Sequence, residues 1–163
     1  MEKELEELFN AMFAAGGVLL HVLYVFIAIF VVFLIVYIIG LVKFFKKCDK
    51  PGWAAIIPYY NVYVLNEIAD LNWWWFLIYM VAVLVAPYML GQNGVTLSSL
   101  ILLFVRLNIG YNTAIKFGKK DDWLWIILAG LFGKVFYACV GLFGSSKYDK
   151  NAKVFKNGFF KDN

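Results

Sequence analysis

Two cations stand inside long apolar runs. Arg106 interrupts VTLSSLILLFVRLNIGYNTAI, residues 95–115, and Lys134 interrupts WLWIILAGLFGKVFYACVGLF, residues 123–143. An ionisable side chain at membrane depth is costly, and its default meaning is functional. Both lie near the centres of their runs. They can therefore face each other around a polar crevice and hold an anion or a lipid phosphate, or meet a carboxylate on a partner subunit. The alternatives are structural. Glu67 and Asp70 are acids available for pairing within the chain, and a long cationic stem can also snorkel to a headgroup. Asn108 and Asn112 are four residues apart and share a helix face. Polar side chains there bond across helices for about 0.6 kcal/mol each, so glue is expected ahead of ion coordination. Ala129, Gly133 and Gly141 fall on one stripe if 123–143 is a single helix, and small residues let a neighbouring helix come close. Lys134 borders that stripe, which turns it toward the bundle.

Other chemistries find little support. His21 is the only histidine, and Cys48 and Cys139 lie too far from it in depth to share a metal, so no metal site and no cofactor are expected. A membrane-embedded peptidase would need a serine beside a lysine of depressed pKa. Ser145 is eleven residues from Lys134, about 16 Å along one helix; Ser98 or Ser99 would have to reach Lys134 through the fold. The chain carries no phosphate-binding loop, dinucleotide fingerprint or nucleic-acid motif. Two cysteines, one among lysines and one in an apolar run, do not make a disulfide framework.

The elements that must position these residues follow from composition. Of 163 residues, 63% are hydrophobic and only 16% charged, with mean hydropathy +0.75. Soluble domains are about 45–50% apolar and about 25% charged, so the chain reads as an all-α integral membrane protein. A crossing helix needs roughly 20 apolar residues. Candidate spans are 17–42, 73–90, 95–115 and 123–143, within a transmembrane domain at 17–143. Residues 1–16 precede it; there Leu5, Leu8, Phe9, Met12 and Phe13 make one stripe opposite the glutamates, the mark of an amphipathic helix lying on the membrane or on a partner helix. Residues 144–163 form a basic tail with Phe155, Phe159 and Phe160, read as a solvated terminus with an anionic surface as the alternative. Lys43, Lys46, Lys47 and Lys50 follow the first span, which puts the N-terminus outside and that loop in the cytoplasm. All six tryptophans are then expected in one cytoplasmic belt. The tail lysines conflict with this, because four crossings leave them outside. A fifth crossing at 53–69 would bring them in, but Asn66, Glu67 and Asp70 make that segment a poor span.

The segment PGWAAIIPYYN, residues 51–61, combines apolar residues with two prolines. Pro51 suits a first helical turn, and Pro58 kinks or breaks the helix. Ile56, Ile57, Tyr60, Val64 and Ile68 share one face at helical spacing, so 51–70 is expected as a bent interfacial or re-entrant segment. Four blocks, PGWAAIIPYYNVYVLNEIA, WWWFLIYMVAVLVAP, AIKFGKKDDW and VGLFGSSKY, occur in order. Together they resemble the pattern of a family of small prokaryotic multi-span membrane proteins, a domain of unknown function, some of whose members carry a signal-peptidase label. The resemblance covers roughly residues 20–148 and implies a multi-pass architecture in the cytoplasmic membrane, with no established activity. The chain departs from that pattern where Gly133–Lys134 and Ala138–Cys139 replace prolines, and where Tyr88 follows Pro87.

The sequence reading is thus a non-enzymatic membrane subunit or scaffold, embedded in the bilayer and packed on partner subunits or on itself, with no nucleic-acid partner. The alternative is a small transporter, channel, or lipid- or anion-binding protein using Arg106 and Lys134. A peptidase is third.

Overall fold

The computed structural model describes residues 2–157; the side chains of 2, 8–15, 86, 87 and 90 fall outside the described residues. Four residues of the expected amphipathic stripe, and Phe159 and Phe160 of the tail, therefore lie outside them. The described chain is all-helical, in the order α1 (Glu2–Lys47), a 3₁₀ turn (Gly52–Ala55), α2 (Tyr60–Ile68), α3 (Trp74–Leu84), α4 (Ala86–Lys116), α5 (Trp123–Phe132) and α6 (Lys134–Phe143). Among the described residues, two helices, Gly16–Lys47 and Gly91–Lys116, are long and apolar enough to cross a membrane.

The chain divides into two compact units, residues 1–36 and 37–163. From Glu2 onward the first is helical, without the expected break near residue 16. Its apolar side chains among the described residues, such as Leu19, Phe26, Phe30 and Phe33, are exposed. Aliphatic and aromatic groups uncovered along a helix of this length are a surface for lipid or another apolar helix, because water would penalise each one.

The second unit holds the core. Leu41, Phe44 and Phe45 from the last turns of α1 pack with Ile68, Trp75, Val105, Phe117 and Tyr137. α4 and α5 run antiparallel. A Cβ built at Gly110 would stand 2.8 Å from that of Ala129, and one at Gly130 would press on Leu107. α6 runs the same way as the end of α1: Gly40 abuts Ala138, Gly141 abuts the Gly40 carbonyl and Phe44, and the Lys47 ammonium donates to the Gly144 carbonyl. Trp125 and Phe136 meet edge to face at 5.0 Å, closing α5 against α6. Thus α5 leaves the lysine-rich end of the bundle and α6 returns to it.

This differs from the single helix expected over 123–143. The break is Gly133, at φ 52° and ψ −120°, a conformation that costs a residue with a Cβ and is free to glycine. Gly91, at φ 55° and ψ −134°, breaks α4 in the same manner, so the reversal between the candidate spans 73–90 and 95–115 is one residue, with Gln92–Gly94 already helical. The stripe Ala129–Gly133–Gly141 is accordingly divided: Ala129 faces α4, Gly141 faces α1, and Gly133 makes the turn.

Residues 51–70 are bent, as Pro58 requires, but the expected common face is not formed. Val64 and Ile68 are buried while Ile56, Ile57 and Tyr60 are exposed. Tyr59 at φ 63° shifts the helical phase between the two halves. The tryptophans divide as well: Trp75 and Trp125 are core residues, whereas Trp53, Trp73 and Trp123 are exposed. A sequence position at a helix start does not reveal which side the ring takes.

Residues 144–157 have no helix, yet they are tied along the bundle. Asp149 N–H donates to the Lys116 carbonyl at 2.8 Å and Asn72 N–H to the Lys156 carbonyl at 3.0 Å. Tyr148 Oη donates to the Ile68 carbonyl at 3.1 Å. The expectation of a solvated terminus does not hold for this part of the tail, because its carbonyls satisfy buried donors.

Candidate functional site: a cationic cavity at the hairpin tip

Arg106 and Lys134 come from different elements and meet at Gly133. α4 presents Arg106 alongside the α5–α6 turn, where a Cβ on Gly133 would lie 3.7 Å from the Arg106 Cδ and Nε. Lys134 is the first residue of α6, so the turn fixes its position. Both line a cavity of about 230 Å³ together with Tyr79, Tyr137, Val62, Leu65, Ile109, Ala129, Phe132 and Val135. The Tyr79 hydroxyl lies beside the Arg106 side chain. Arg106 is exposed and Lys134 half-buried. The Tyr137 hydroxyl is turned away to Thr113 at 3.2 Å, whose own hydroxyl donates to the Gly110 carbonyl.

Two features make this cavity electropositive. No aspartate or glutamate lines it. In addition, the first turn of α6 borders it, and the opening N–H groups of a helix have no partner within that helix and carry partial positive charge. Two cations, a tyrosine hydroxyl and a helix start can together receive an anion of a few heavy atoms.

Glu67 and Asp70, the expected partners of these cations, are elsewhere. Glu67 pairs with Lys50 at 2.8 Å and Asp70 with Lys116 at 3.6 Å. They line a second cavity of about 370 Å³ with Cys48, Asp49, Leu71, Tyr148 and Lys150, where acids and lysines alternate and offset one another. α2 reaches the first cavity with Val62 and Leu65, whereas Glu67, in its last turn, and Asp70, just beyond it, stand beside Lys50 and Lys116. Around this second cavity, burial pushes the Cys48 thiol up to about 12. Burial, then the neighbouring Cys48 and Asp70, push the Tyr148 hydroxyl up to about 12 as well.

The two asparagines do different work. Asn112 is fully buried and donates to the Ala69 carbonyl at 2.9 Å and the Phe155 carbonyl at 2.8 Å, joining α4 to α2's end and to the tail. Asn108, also fully buried, donates to Phe104 on its own helix. Ser98 and Ser99 both donate to the Val95 carbonyl, and no serine lines the Arg106–Lys134 cavity. His21 Nδ1 lies 2.8 Å from the Gly17 carbonyl of its own helix. Among the described residues, no group of three or more His, Cys, Asp or Glu side chains is placed to hold a metal.

The sequence reading missed Tyr79, buried Lys116 and the tail anchors. Tyr79 carried no signal among aromatic neighbours. Besides pairing with Asp70, the Lys116 Nζ donates to the Lys150 carbonyl at 2.8 Å. No protein-family model, curated protein or solved structure matches the chain.

Proposed function

We propose that the chain is a non-enzymatic integral membrane protein that binds an anionic group in the cavity between Arg106 and Lys134. The observation that carries this reading is the shared lining of that cavity by two cations and a helix start without a carboxylate. Desolvated like charges repel, so the arrangement is most stable when an anion lies between them. Charge-assisted hydrogen bonds of this type are roughly twice as strong as neutral ones. The anion is a small inorganic or carboxylate ion, or the phosphate of a lipid.

Membrane placement is part of the proposal. α5 and α6 have ten residues each; each reaches about 15 Å, half of a hydrocarbon core about 30 Å thick. We therefore read them as a re-entrant hairpin, in place of the expected fourth crossing. Its tip at Gly133 lies at the depth of Arg106. The crossings are α1, α4 and the arm from Trp74 to Leu90. This gives a cytoplasmic tail, and it removes the conflict that four crossings create, since Lys43–Lys50, Lys116–Lys120 and Lys147–Lys156 then share one side. The N-terminus stays outside. Half-helices that start at the bilayer midplane are a recurrent way of holding an anion in transporters. The motif resemblance to small prokaryotic membrane proteins agrees with multiple crossings and assigns no activity.

The test is binding by the purified protein in nanodiscs. Inorganic phosphate, chloride and acetate report on free anions, and native mass spectrometry with phosphatidylglycerol reports on a lipid phosphate. Arg106→Leu with Lys134→Leu should weaken the bound species about tenfold or more. Equal binding of every probe by the parent and the double variant would sink the reading. The subunit reading has a separate support: in α1, the more apolar of the two long helices, only 11% of the most apolar stretch is buried.

A further inference from the structure

The tail turns its lysines outward. Lys147, Lys150, Lys153 and Lys156 are all exposed, whereas Tyr148, Ala152, Val154 and Phe155 between them are half-buried. The alternation has a backbone cause. The carbonyls of Lys150, Phe155 and Lys156 accept from Lys116, Asn112 and Asn72, respectively. A chain pinned by its main chain holds its lysines in place, at no further ordering cost for the backbone when a ligand arrives.

Its level in the bundle is also defined. Lys150 is held at the last turn of α4, while Phe155 reaches Asn112 one turn farther in, with its ring stacked on Tyr111. Lys156 and Asn157 are fastened to Asn72, just before α3. The strap therefore runs down the rim of the bundle. At the same level stand the exposed rings of Trp73, which follows Asn72, and of Trp123 at the start of α5. Tryptophans exposed at helix starts mark the headgroup region. Lys119 and Lys120, exposed in the α4–α5 turn, extend the basic surface.

We propose that Lys147, Lys150, Lys153 and Lys156, with Lys119 and Lys120, form a binding site for the phosphates of anionic phospholipids in the adjoining leaflet. The site rests on the membrane placement proposed above, and it is separate from the Arg106–Lys134 cavity. A soluble polyanion fits less well, because the strap lies at the rim beside the tryptophans, where headgroups are. Clustered lysines next to a crossing helix attract anionic lipid at about 1 kcal/mol each.

The experiment is lipid retention by the full chain, read by native mass spectrometry after exchange into detergent containing equal phosphatidylglycerol and phosphatidylcholine. The parent should retain phosphatidylglycerol preferentially, and the preference should fall steeply with added salt. The variant K147Q/K150Q/K153Q/K156Q keeps every backbone anchor and should lose the preference about tenfold or more. The all-arginine variant should keep it. A preference that is absent, insensitive to salt, or unchanged in the glutamine variant would overturn the proposal. So would competition by short RNA at the same ionic strength. R106L/K134L should leave salt-sensitive retention in place, so failure of the cavity reading and failure of the strap reading give different results.

Discussion

Arg106 and Lys134 differ in what removal should do. Lys134 opens α6 beside the turn, and its stem is half-buried against the cavity wall. Arg106 is exposed and lies beside Tyr79. Lys134→Met keeps the packing and removes the charge. We expect it to weaken anion binding about tenfold, with thermal stability unchanged or raised, because a repulsive cation is gone. A stability loss with unaltered binding would show that the lysine serves packing alone. The groups of the second cavity predict a pH response. Cys48 and Tyr148 titrate at about 12 in the folded chain, against ordinary values of 9.0 and 10.0. Both folded values are raised, so the stability these groups contribute is complete below pH 9 and is lost as pH rises from there through about 12. The unfolding temperature should stay level from pH 7 to 8.5 and fall above it. Cys48→Ala combined with Tyr148→Phe should flatten that fall. A parent profile that stays level to pH 11.5 would refute the assignment. In the same range, native Cys48 should resist maleimide at pH 8 and react once the chain is unfolded.

At the scale of elements, glycine decides where helices stop and how closely they lie. Gly133 and Gly91 both adopt positive φ with strongly negative ψ. Gly133→Ala should cost about 1–3 kcal/mol and should loosen the cavity as well, since the turn positions Lys134. Gly141 serves contact instead. A Cβ there would drive into the Gly40 carbonyl and the Phe44 N–H, which are backbone and cannot swing away. Gly141→Ala should therefore destabilise by about 1–3 kcal/mol while leaving anion binding at the tip intact. Gly17→Ala meets nothing within 4 Å and serves as the neutral control. Denaturation in mild detergent, followed by near-ultraviolet circular dichroism, would rank the three. Equal stability of G141A and G17A would show that α1 and α6 do not pack as described.

For the whole molecule, the proposed arrangement makes a claim about sides. Lys46, Lys119 and Lys153 should label from one face of sealed vesicles as single cysteines in a C48A/C139A background. Gln92, next to the Gly91 turn, should label from the other. Labelling of Lys153→Cys from the side of Gln92→Cys would mean that α5 and α6 do not turn back, and it would remove both the hairpin and the lipid-binding strap. The exposed apolar groups of α1 belong to this scale too, as a surface for lipid or a partner helix. Their exchange for polar residues should impair insertion well before it alters the cavity.

Much of this was legible along the chain, because the signals are local. Long charge-free runs are written in consecutive residues, so the apolar middles of α1 and α4 appear at 17–42 and 95–115, although α1 continues past both ends and α4 begins earlier; Pro58 announces the bend in 51–70. Arg106 and Lys134 also stood out, since a charge in an apolar run needs no partner to be noticed. Their meeting at one cavity was only one of several open readings. Its geometry depends on Gly133, whose backbone angles no neighbouring residue signals, and on contacts between residues about 27 positions apart in sequence. The pairings Lys50–Glu67 and Lys116–Asp70, the burial of Trp75 and Trp125, and the anchoring of the tail by Asn112 and Asn72 are likewise long-range. Composition and periodicity fix what a segment can bury. Which partner it meets depends on where the chain reverses, and Gly91, Gly118 and Gly133, all at positive φ, decide that through the tertiary structure.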